Sequence, residues 1–369
     1  MKITEVKSYI VSAAMPTPWR IGNYVLDTAY ATIVEVVTDE GITGLGECIG
    51  RLGPGVTRSI IDEILAPVII GEDPMEIEGL WSRMFNLMRY RGHTRGVFLE
   101  AISGIDIALW DIGGKALNLP VHRLMMGCNR KTVPAYASSI FFDTPEKMAA
   151  IAADLVERGF SALKIKVGQG VETDTACMKK IRETVGSDVT LMVDANSAFN
   201  ITEAARLGRR LDELDVVWFE EPVPSDNLEG YKHLSMKLDT AIAAGEGEFS
   251  IYGVRQLLEN GVTVFQPDVA RAGGISEVRK MAALCQAFGA EFAPHTGASS
   301  AICMAASLHL AAAVPNLMIY EHMVGDNPLA EALLKEPLPA PKDGTIDIPQ
   351  GPGLGIELDR KALEKYRIA

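Results

Sequence analysis

The chain has 369 residues, of which 48% are hydrophobic and 22% are charged, and its formal net charge is −13 at pH 7. This length exceeds one average domain and fits a barrel of about 200–250 residues beside a smaller unit. The acidic balance argues against nucleic acid or an anionic membrane as a partner, because both favour basic surfaces.

Residues 1–127 predict an α+β capping domain. Three antiparallel strands are expected first, with a turn after Thr38, and helical periodicity follows. The predicted strands are Ile3–Val11, Tyr30–Thr38 and Leu45–Ile49, and the predicted helices are Thr57–Ile69, Ile77–Met88 and Phe98–Lys115.

Residues 128–335 predict an α/β fold in which apolar strands alternate with helical segments. Eight such strands favour a (β/α)8 TIM-like barrel over an open doubly wound sheet, which stays the structural alternative. The predicted strands are Thr132–Ala137, Ala162–Val167, Val189–Asp194, Val216–Glu220, Thr240–Glu246, Thr263–Asp268, Glu291–His295 and Leu317–Glu321. Residues 336–369 are rich in Pro and Gly and are expected to pack back on the capping domain.

Several features predict a cytoplasmic protein. Charges at Lys2 and Glu5 disfavour an export signal, and the most apolar stretch, Ser300–Val314, is too short to span a bilayer. The cysteines contain no CxxC pair, which is typical of reduced core residues. They are Cys48, Cys128, Cys177, Cys285 and Cys303.

Three acidic residues end consecutive predicted strands at intervals of 26 residues: Asp194, Glu220 and Glu246. Such an interval fits one βα unit. The carboxylates would therefore meet at the rim of the barrel where these enzymes keep their chemistry. Hard oxygen ligands suit a divalent cation such as Mg²⁺. The spacing thus predicts a metal-dependent enzyme.

Two lysines, Lys164 and Lys166, lie two positions apart on the second barrel strand and so share a face. If that face lines the barrel mouth, each ammonium group would lower the pKa of the other and make one of them a usable base. The alternative is a pair of solvated lysines on an edge strand. The apolar neighbours on either side favour a buried strand.

Asp268 and His295 end the sixth and seventh predicted strands. Adjacent strand ends would let the carboxylate orient the imidazole for acid/base work, although a structural histidine is the alternative. Glu321 ends the eighth strand on the same rim, where a role towards the substrate and a structural role have similar weight.

The chain resembles the mandelate racemase subgroup of the enolase superfamily, nearly from end to end. The motifs that carry the resemblance, in order, are Ser103–Asp111, Lys164-Ile-Lys166, Val193-Asp-Ala-Asn196, Trp218-Phe-Glu-Glu-Pro222, Ala244-Gly-Glu246, Gln266-Pro-Asp268, Ala293-Pro-His295 and Gly351–Gly355.

The resemblance implies that the three carboxylates bind Mg²⁺ and that Lys166 is the base on one face of the substrate α-carbon, with Lys164 beside the substrate carboxylate. It implies that His295, oriented by Asp268, acts on the opposite face. Glu321 is then expected to donate a hydrogen bond to the enediolate. The implied partner is a small sugar-acid carboxylate, and a homo-oligomer is expected.

In this family, loops of the N-terminal domain close over the barrel mouth. Pro16–Thr28 and Ile49–Gly55 are the candidates here, with Arg20 and Arg51 as anion contacts and Asn196 as a further substrate contact. One departure from the family pattern is an extra acid two residues after the third metal ligand, Glu248, which is expected to add an acid near the metal and to alter the pocket. The 26-residue spacing still favours Glu246 as the ligand.

After removal of the α-proton, three outcomes are open. Dehydration of an acid sugar to a 2-keto-3-deoxy acid ranks first, since such dehydratases dominate the subgroup. Cycloisomerisation of a sugar-acid lactone or anhydro acid is next, since Gly168–Glu172 and the C-terminal portion also resemble galactarolactone cycloisomerases. Racemisation or epimerisation of a 2-hydroxy acid is third. Three other classes fit the sequence less well. A Schiff-base aldolase would not need three carboxylates, and a zinc hydrolase would be expected to have histidines early in the barrel. A non-catalytic metal-binding barrel would not need paired lysines.

Overall fold

The computed structural model describes residues 1–21, 24–51 and 53–369. The chain begins with an antiparallel three-stranded sheet in the order β1–β2–β3. Its strands are β1 (Ile3–Ile21), β2 (Tyr24–Thr38) and β3 (Thr43–Ile49).

The β1–β2 hairpin is longer than predicted. Most of the predicted loop Pro16–Thr28 is paired strand, which corrects the sequence interpretation, while Gly22 and Asn23 of that loop lie outside the described residues. The loop was expected from the family resemblance. Pro16 and Pro18 lie in this stretch, and a proline donates no ladder hydrogen bond. The pairing accommodates them by a register shift between Ala14 and Trp19.

The predicted helix Thr57–Ile69 is interrupted by a π-helical turn, Ile61–Leu65. Pro67 follows this turn, and since it lacks an N–H the regular hydrogen-bond ladder cannot pass through it. The helices of this part of the chain are α1 (Pro54–Ile60), α2 (Ala66–Ile69), α3 (Ile77–Arg89), α4 (Val97–Ala116) and α5 (Val121–Leu124).

Strand β3 packs directly on the backbone of α4. A Cβ atom at Gly44 would lie 2.0 Å from the carbonyl oxygen of Ala108, and one at Gly46 would lie 1.9 Å from that of Gly104. The two glycines therefore permit a backbone contact that no other residue would allow, and this contact fixes the position of β3.

We expect Gly46→Ala to destabilise the protein by about 1–3 kcal/mol, because the added methyl group meets backbone that cannot step aside. Gly79→Ala is the matched control, since a Cβ there has no neighbour closer than 3.8 Å and the position lies in α3. Urea unfolding of both variants measures the difference. Equal midpoints for the two variants would show that the β3–α4 contact is not tight.

Eight parallel strands form a curled sheet, in the order β10–β9–β8–β7–β6–β5–β4–β11. Phe292, in the strand at one end of this order, forms a parallel bridge with Leu317, which precedes the strand at the other end. The strands are β4 (Thr132–Ile140), β5 (Ala162–Lys166), β6 (Thr190–Asp194), β7 (Val216–Glu220), β8 (Ala241–Ala244), β9 (Val264–Phe265), β10 (Glu291–Phe292) and β11 (Tyr320–Met323).

Helices follow the strands along the chain, so the region that contains β4 to β11 is an α/β fold. Residues from six of the parallel strands, β4 to β9, form an apolar cluster that includes Tyr136, Met192 and Trp218. The helices are α6 (Pro145–Glu157), α7 (Val171–Val185), α8 (Ile201–Asp212), α9 (Leu228–Ser235), α10 (Ser250–Glu259), α11 (Gly274–Ala287) and α12 (Ala301–Ala313).

β5 ends one residue earlier than predicted, and β8, β9 and β10 end two or three residues earlier. Gly245 has a φ of 135°, which breaks strand geometry before the acid that follows it. Pro267 and Pro294 have no N–H to donate and interrupt the next two ladders. Asp268 and His295 consequently lie just beyond their strands, yet they still pair with each other as an isolated parallel bridge.

The C-terminal segment contacts both parts of the chain. After α13 (Pro328–Ala332), residues 336–369 form β12 (Thr345–Asp347) and α14 (Arg360–Tyr366). β12 pairs antiparallel with β4. The Arg360 guanidinium donates two hydrogen bonds, of 2.7 and 2.5 Å, to the Glu35 carboxylate of β2, and Ile10 N–H donates to the carbonyl of Ala369. The segment is thus more regular than its composition suggested.

Within the part of the chain that the structure describes, no helix combines the length and apolar character needed to cross a membrane. All five cysteines are free thiols, and all except the partly exposed Cys128 are buried.

Candidate functional site

The three predicted metal-binding carboxylates meet at the ends of adjacent parallel strands. Asp194 ends β6, Glu220 ends β7 opposite it in register, and Glu246 follows β8. One ligand atom from each lies within 4.8 Å of the others. Asp194 and Glu220 are fully buried. The sequence spacing therefore identified a group that could hold a metal ion.

Glu248 turns away from this group. Its carboxylate accepts a hydrogen bond of 2.8 Å from the backbone N–H of Phe249 and lies 3.5 Å from Arg95. Burial raises the pKa of Glu248, while the Phe249 N–H and the arginine oppose that rise. The extra acid is therefore engaged at the start of α10 and is separate from the carboxylate group.

Both lysines of β5 are buried against carboxylates. Lys164 Nζ lies 2.9 Å from Glu220 Oε2 and 2.8 Å from Glu321 Oε1. Lys166 Nζ donates to the Asp194 carboxylate and, at 2.9 Å, to the side-chain oxygen of Asn196. The lysines are thus not solvated on an edge strand.

The expected lowering of the lysine pKa values is not seen in this state. Burial lowers the pKa of Lys164, but Glu220 and Glu321 outweigh it and raise the value well above normal. Burial likewise opposes charge on Lys166, and Asp194 raises its pKa despite the repulsion from Lys164. The sequence interpretation counted the like charges and omitted the facing carboxylates, which dominate.

Asp268 and His295, hereafter the Asp/His pair, are joined by a hydrogen bond of 2.8 Å between His295 Nδ1 and Asp268 Oδ2. The backbone N–H of Ala270 donates to the other Asp268 oxygen, which fixes the carboxylate. His295 Nε2 faces the metal group, 3.2 Å from Glu246 Oε2. Burial disfavours charge on the imidazole, yet Glu246, Glu321 and Asp268 raise its pKa.

The charges around Glu246 and Glu220 act in opposite directions. Burial raises the pKa of Glu246, but His295, Arg51 and the lysines outweigh burial and lower it to about 2. Burial and Asp194 together raise the pKa of Glu220 to about 7. The group of carboxylates is thus crowded enough for one member to resist ionisation, as expected where negative charges converge.

Glu321 lies on the same rim, but it accepts hydrogen bonds. Ser138 Oγ donates to Glu321 Oε1 and Thr296 N–H donates to Oε2, each at 2.7 Å. Burial opposes ionisation of Glu321, yet Lys164 and His295 hold its pKa well below the usual range. The Glu321 oxygens act as acceptors here, whereas the role implied by the resemblance requires a protonated donor.

The structure brings Arg51 and Asn196 into the site and leaves Arg20 out of it. Arg51 Nη2 donates to the carbonyl of Gly297 at 3.0 Å and lies 3.5 Å from His295 Nε2. Arg20 is exposed and does not line the pocket. The second predicted loop, Ile49–Gly55, contributes Arg51, while its Leu52 lies outside the described residues.

The pocket above the carboxylates is narrow, with a cavity volume of about 20 Å³. That is room for little more than one water molecule. Trp19 and Ile21 of the β1–β2 hairpin cover it, and Met323 lines its side. Trp19 and Ile21 lie in the segment Pro16–Thr28, which the resemblance implied would close over the barrel mouth, but sequence reasoning did not single them out as pocket residues. Met323 of β11 was not singled out either.

Two further residues that sequence reasoning missed contact the lysine and carboxylate cluster. The side-chain amide of Gln266 donates to Glu220 Oε2 at 2.7 Å, and the Tyr136 ring lies 5.4 Å from Lys164 Nζ. Gln266 stands in the motif Gln266-Pro-Asp268, so its position next to a predicted site residue was the available signal. Tyr136 gave no signal beyond the inward face of β4.

Two family models together cover most of the chain. Residues 4–126 match the mandelate racemase/muconate lactonizing enzyme N-terminal domain, and residues 147–362 match the enolase C-terminal domain-like family. The chain belongs to the mandelate racemase/muconate lactonizing enzyme family. The family predicted from the motifs is thereby confirmed, and the chain is an enzyme of the enolase superfamily.

Similar family members carry named activities. The D-galactarolactone cycloisomerase of Agrobacterium fabrum (strain C58) is 37% identical over 380 residues, covering 100% of this chain and 99% of that protein. The arabinonate dehydratase of Saccharolobus solfataricus is 34% identical over 338 residues, covering 90% and 89%. Among solved structures, the 3,6-anhydro-D-galactonate cycloisomerase of Zobellia galactanivorans matches with a TM-score of 0.91 at 34% identity, covering 100% of both chains.

Proposed function

We propose that this enzyme uses Mg²⁺ to remove the α-proton of a sugar-acid carboxylate and that it expels water from the resulting enediolate to give a 2-keto-3-deoxy acid. One observation carries the proposal. Three carboxylates that could hold a metal, two of them buried and Glu246 partly exposed, have Lys166 at the Asp194 end and His295 at the Glu246 end. Two acid/base groups therefore stand at opposite ends of the candidate metal group.

The donor set fits Mg²⁺, which prefers hard carboxylate oxygens and water. Asp194, Glu220 and Glu246 would hold the ion, and when bound it would stabilise the negative charge that develops on the substrate carboxylate. The Lys166 ammonium would then share Asp194 with a second cation. Its pKa would fall towards the range of a base, as near any added positive charge.

The protons move between named atoms. Lys166 Nζ, or His295 Nε2 for the opposite configuration, takes the proton from the α-carbon. Lys164, held between Glu220 and Glu321, keeps a positive charge beside the substrate carboxylate. His295 Nε2–H then protonates the leaving 3-hydroxyl, which departs as water, and the enol becomes the 2-keto acid. Asp268 holds the imidazole orientation throughout.

Arg51 and Asn196 are the proposed substrate contacts. Arg51 is the cation that the N-terminal part brings to the pocket, and Asn196 is the neighbour of Lys166. A sugar acid needs far more room than about 20 Å³. We therefore expect the hairpin tip with Trp19 and Ile21 to move when substrate enters.

The proposal includes the architecture expected from the sequence. A closed (β/α)8 barrel is supported by the Phe292–Leu317 bridge and by the hydrogen bond from Met318 N–H to the Phe292 carbonyl at 2.8 Å. The division into a capping domain (1–127), a barrel (128–335) and a returning tail (336–369), the homo-oligomer and the cytoplasmic location stay predictions.

Cycloisomerisation is the second candidate, because the relative of 37% identity that spans the whole chain is named as a lactone cycloisomerase. It begins with the same loss of the α-proton. The two candidates differ in the bond that breaks next, so products separate them.

A library of stereoisomeric aldonic and aldaric acids, with their lactones and anhydro acids, is expected to contain at least one substrate in the presence of Mg²⁺. The preferred product, a 2-keto-3-deoxy acid, absorbs in the ultraviolet after reaction with semicarbazide. If the only active compounds are lactones or anhydro sugars and the products are their isomers, the cycloisomerase is favoured. If reactions in D2O give α-deuterated epimers without loss of water, the enzyme is an epimerase. Activity with Zn²⁺ alone, or without metal, would contradict the proposal.

A further inference from the structure

The end of β3 touches the loops that carry the Asp/His pair. Glu47, Ile49 and Arg51 occupy alternate positions and so point to one side of the strand and its continuation. Ile49 N–H donates to the carbonyl of Ala270, in the loop after Asp268, at 3.0 Å. Arg51 reaches the loop after His295. The N-terminal sheet and its continuation therefore contact both the loop after Asp268 and the loop after His295.

Glu47 makes the most buried of these contacts. Its side chain is fully buried and accepts hydrogen bonds from Ser300 N–H at 2.9 Å, from Ser300 Oγ at 2.5 Å and from Cys303 N–H at 2.8 Å. Ser300 is the N-cap of α12. Burial raises the pKa of Glu47 to about 7, while the hydrogen bonds from Ser300 and Cys303 favour the ionised form. One carboxylate thus holds the first turn of α12.

Cys303 continues the connection to the Asp/His pair. Its Sγ lies 3.8 Å from Asp268 Oδ1, so the thiol donates to the carboxylate oxygen that does not contact the histidine. The other oxygen accepts the His295 Nδ1 hydrogen bond. A displacement of the first turn of α12 would therefore reach His295 through Asp268.

We propose that Glu47 is a positioning residue for the Asp/His pair: by fixing the first turn of α12, it holds Asp268 and so aims His295 Nε2 at the substrate. This inference rests on the proposed function, in which His295 is the acid/base group of one face. Lys166 is built on β5 and contacts Asp194 and Asn196, which belong to the parallel-sheet part. Glu47 is therefore expected to affect only proton transfer by His295, on one face of the substrate α-carbon.

The chain offers a matched control at the N-terminus of α11. Asp106 of α4 is a fully buried carboxylate that accepts hydrogen bonds from Ser276 N–H at 2.9 Å and from Ser276 Oγ at 2.5 Å. Burial raises its pKa to about 7 as well. It joins the same two parts of the chain with the same chemistry, but it makes no contact with the Asp/His pair.

Glu47→Gln is the test variant. A glutamine keeps the shape, but its NH₂ group must face a backbone N–H of Ser300 or Cys303 in either orientation, so the first turn of α12 must shift. A misplacement near the chemistry can cost about 100-fold in rate. We expect α-proton exchange on the His295 side to fall about 10- to 100-fold, with exchange on the Lys166 side unchanged.

Two acid sugars that are epimers at C2 are incubated in D2O, and exchange of the α-proton for deuterium in each epimer reports one side of the site. The side whose exchange is lost in His295→Asn is the His295 side, and the side whose exchange is lost in Lys166→Ala is the Lys166 side. Asp106→Asn should change both sides alike or neither. Cys303→Ala, which leaves Glu47 in place, should affect the His295 side alone. Equal loss on both sides in Glu47→Gln, matching Asp106→Asn, would overturn the inference and leave Glu47 as a structural residue.

A readout without substrate keeps this inference separate from the proposed function. The His295 Nδ1 proton, hydrogen-bonded to Asp268, gives an NMR resonance that His295→Asn removes and thereby assigns. That resonance should shift or broaden in Glu47→Gln and stay unchanged in Asp106→Asn. An unchanged resonance in both variants overturns the inference. Absence of exchange in the unmodified enzyme with every acid sugar would overturn the proposed function instead.

Discussion

Replacing any one of Asp194, Glu220 and Glu246 by its amide is expected to abolish Mg²⁺-dependent turnover. Each change removes one negative charge from a group whose ligand atoms lie within 4.8 Å of one another. A metal ion contributes several kcal/mol of charge stabilisation in the transition state, so its loss should lower kcat/KM by about 1,000-fold or more. Initial rates against Mg²⁺ concentration measure the effect.

Glu248→Gln is the control for these variants. This neighbouring acid is engaged by the Phe249 N–H and Arg95 and does not belong to the carboxylate group. It should leave appreciable activity and an unaltered Mg²⁺ dependence. Full activity in Glu246→Gln together with loss of activity in Glu248→Gln would show that the wrong acid had been assigned to the metal.

Lys166→Ala and His295→Asn are expected to lose α-proton transfer on opposite faces of the substrate. The two groups lie at opposite ends of the carboxylate group. Removing a general acid or base lowers the reaction rate by about 100- to 10,000-fold. Each variant should stop exchange of the α-proton for deuterium in one C2 epimer and preserve it in the other. Proton NMR in D2O distinguishes them.

The substitution at Lys166 needs a folding control, since it leaves Asp194 without its ammonium partner. Lys166→Arg keeps the charge but places it differently and should be as inactive as Lys166→Ala while unfolding near the unmodified midpoint. If both the Lys166 and His295 variants lose exchange in every epimer of a processed substrate, the assignment of one group to each face is contradicted.

The sequence predicted the carboxylate group well because its determinants are local. Each acid follows one strand of a βα repeat, and parallel strands bring their carboxyl ends together. Burial of Lys164 and Lys166 followed from their apolar neighbours for the same reason. The strand ends were less predictable, since Gly245, Pro267 and Pro294 break the ladder without changing the direction of the chain.

Features that depend on distant parts of the chain escaped the sequence. The hairpin carries Trp19 over the pocket because β1 and β2 pair on both sides of Pro16 and Pro18. The raised pKa of Lys164 depends on Glu220 and Glu321, and that of Lys166 on Asp194. All three carboxylates lie on other strands. Glu47 does not belong to any motif recognised in the sequence. Its proposed role depends on its hydrogen bonds to Ser300, which lies 253 residues away in the chain.

The most direct test of the central claim is to follow the α-proton of an active acid sugar in D2O, with Mg²⁺ present, after chelation by EDTA, and after Mg²⁺ is restored. We predict that the α-proton is lost or exchanged for deuterium during turnover, that chelation stops this, and that Mg²⁺ restores it. Turnover that survives chelation, or a product that retains the original α-proton on the same carbon, would contradict the account.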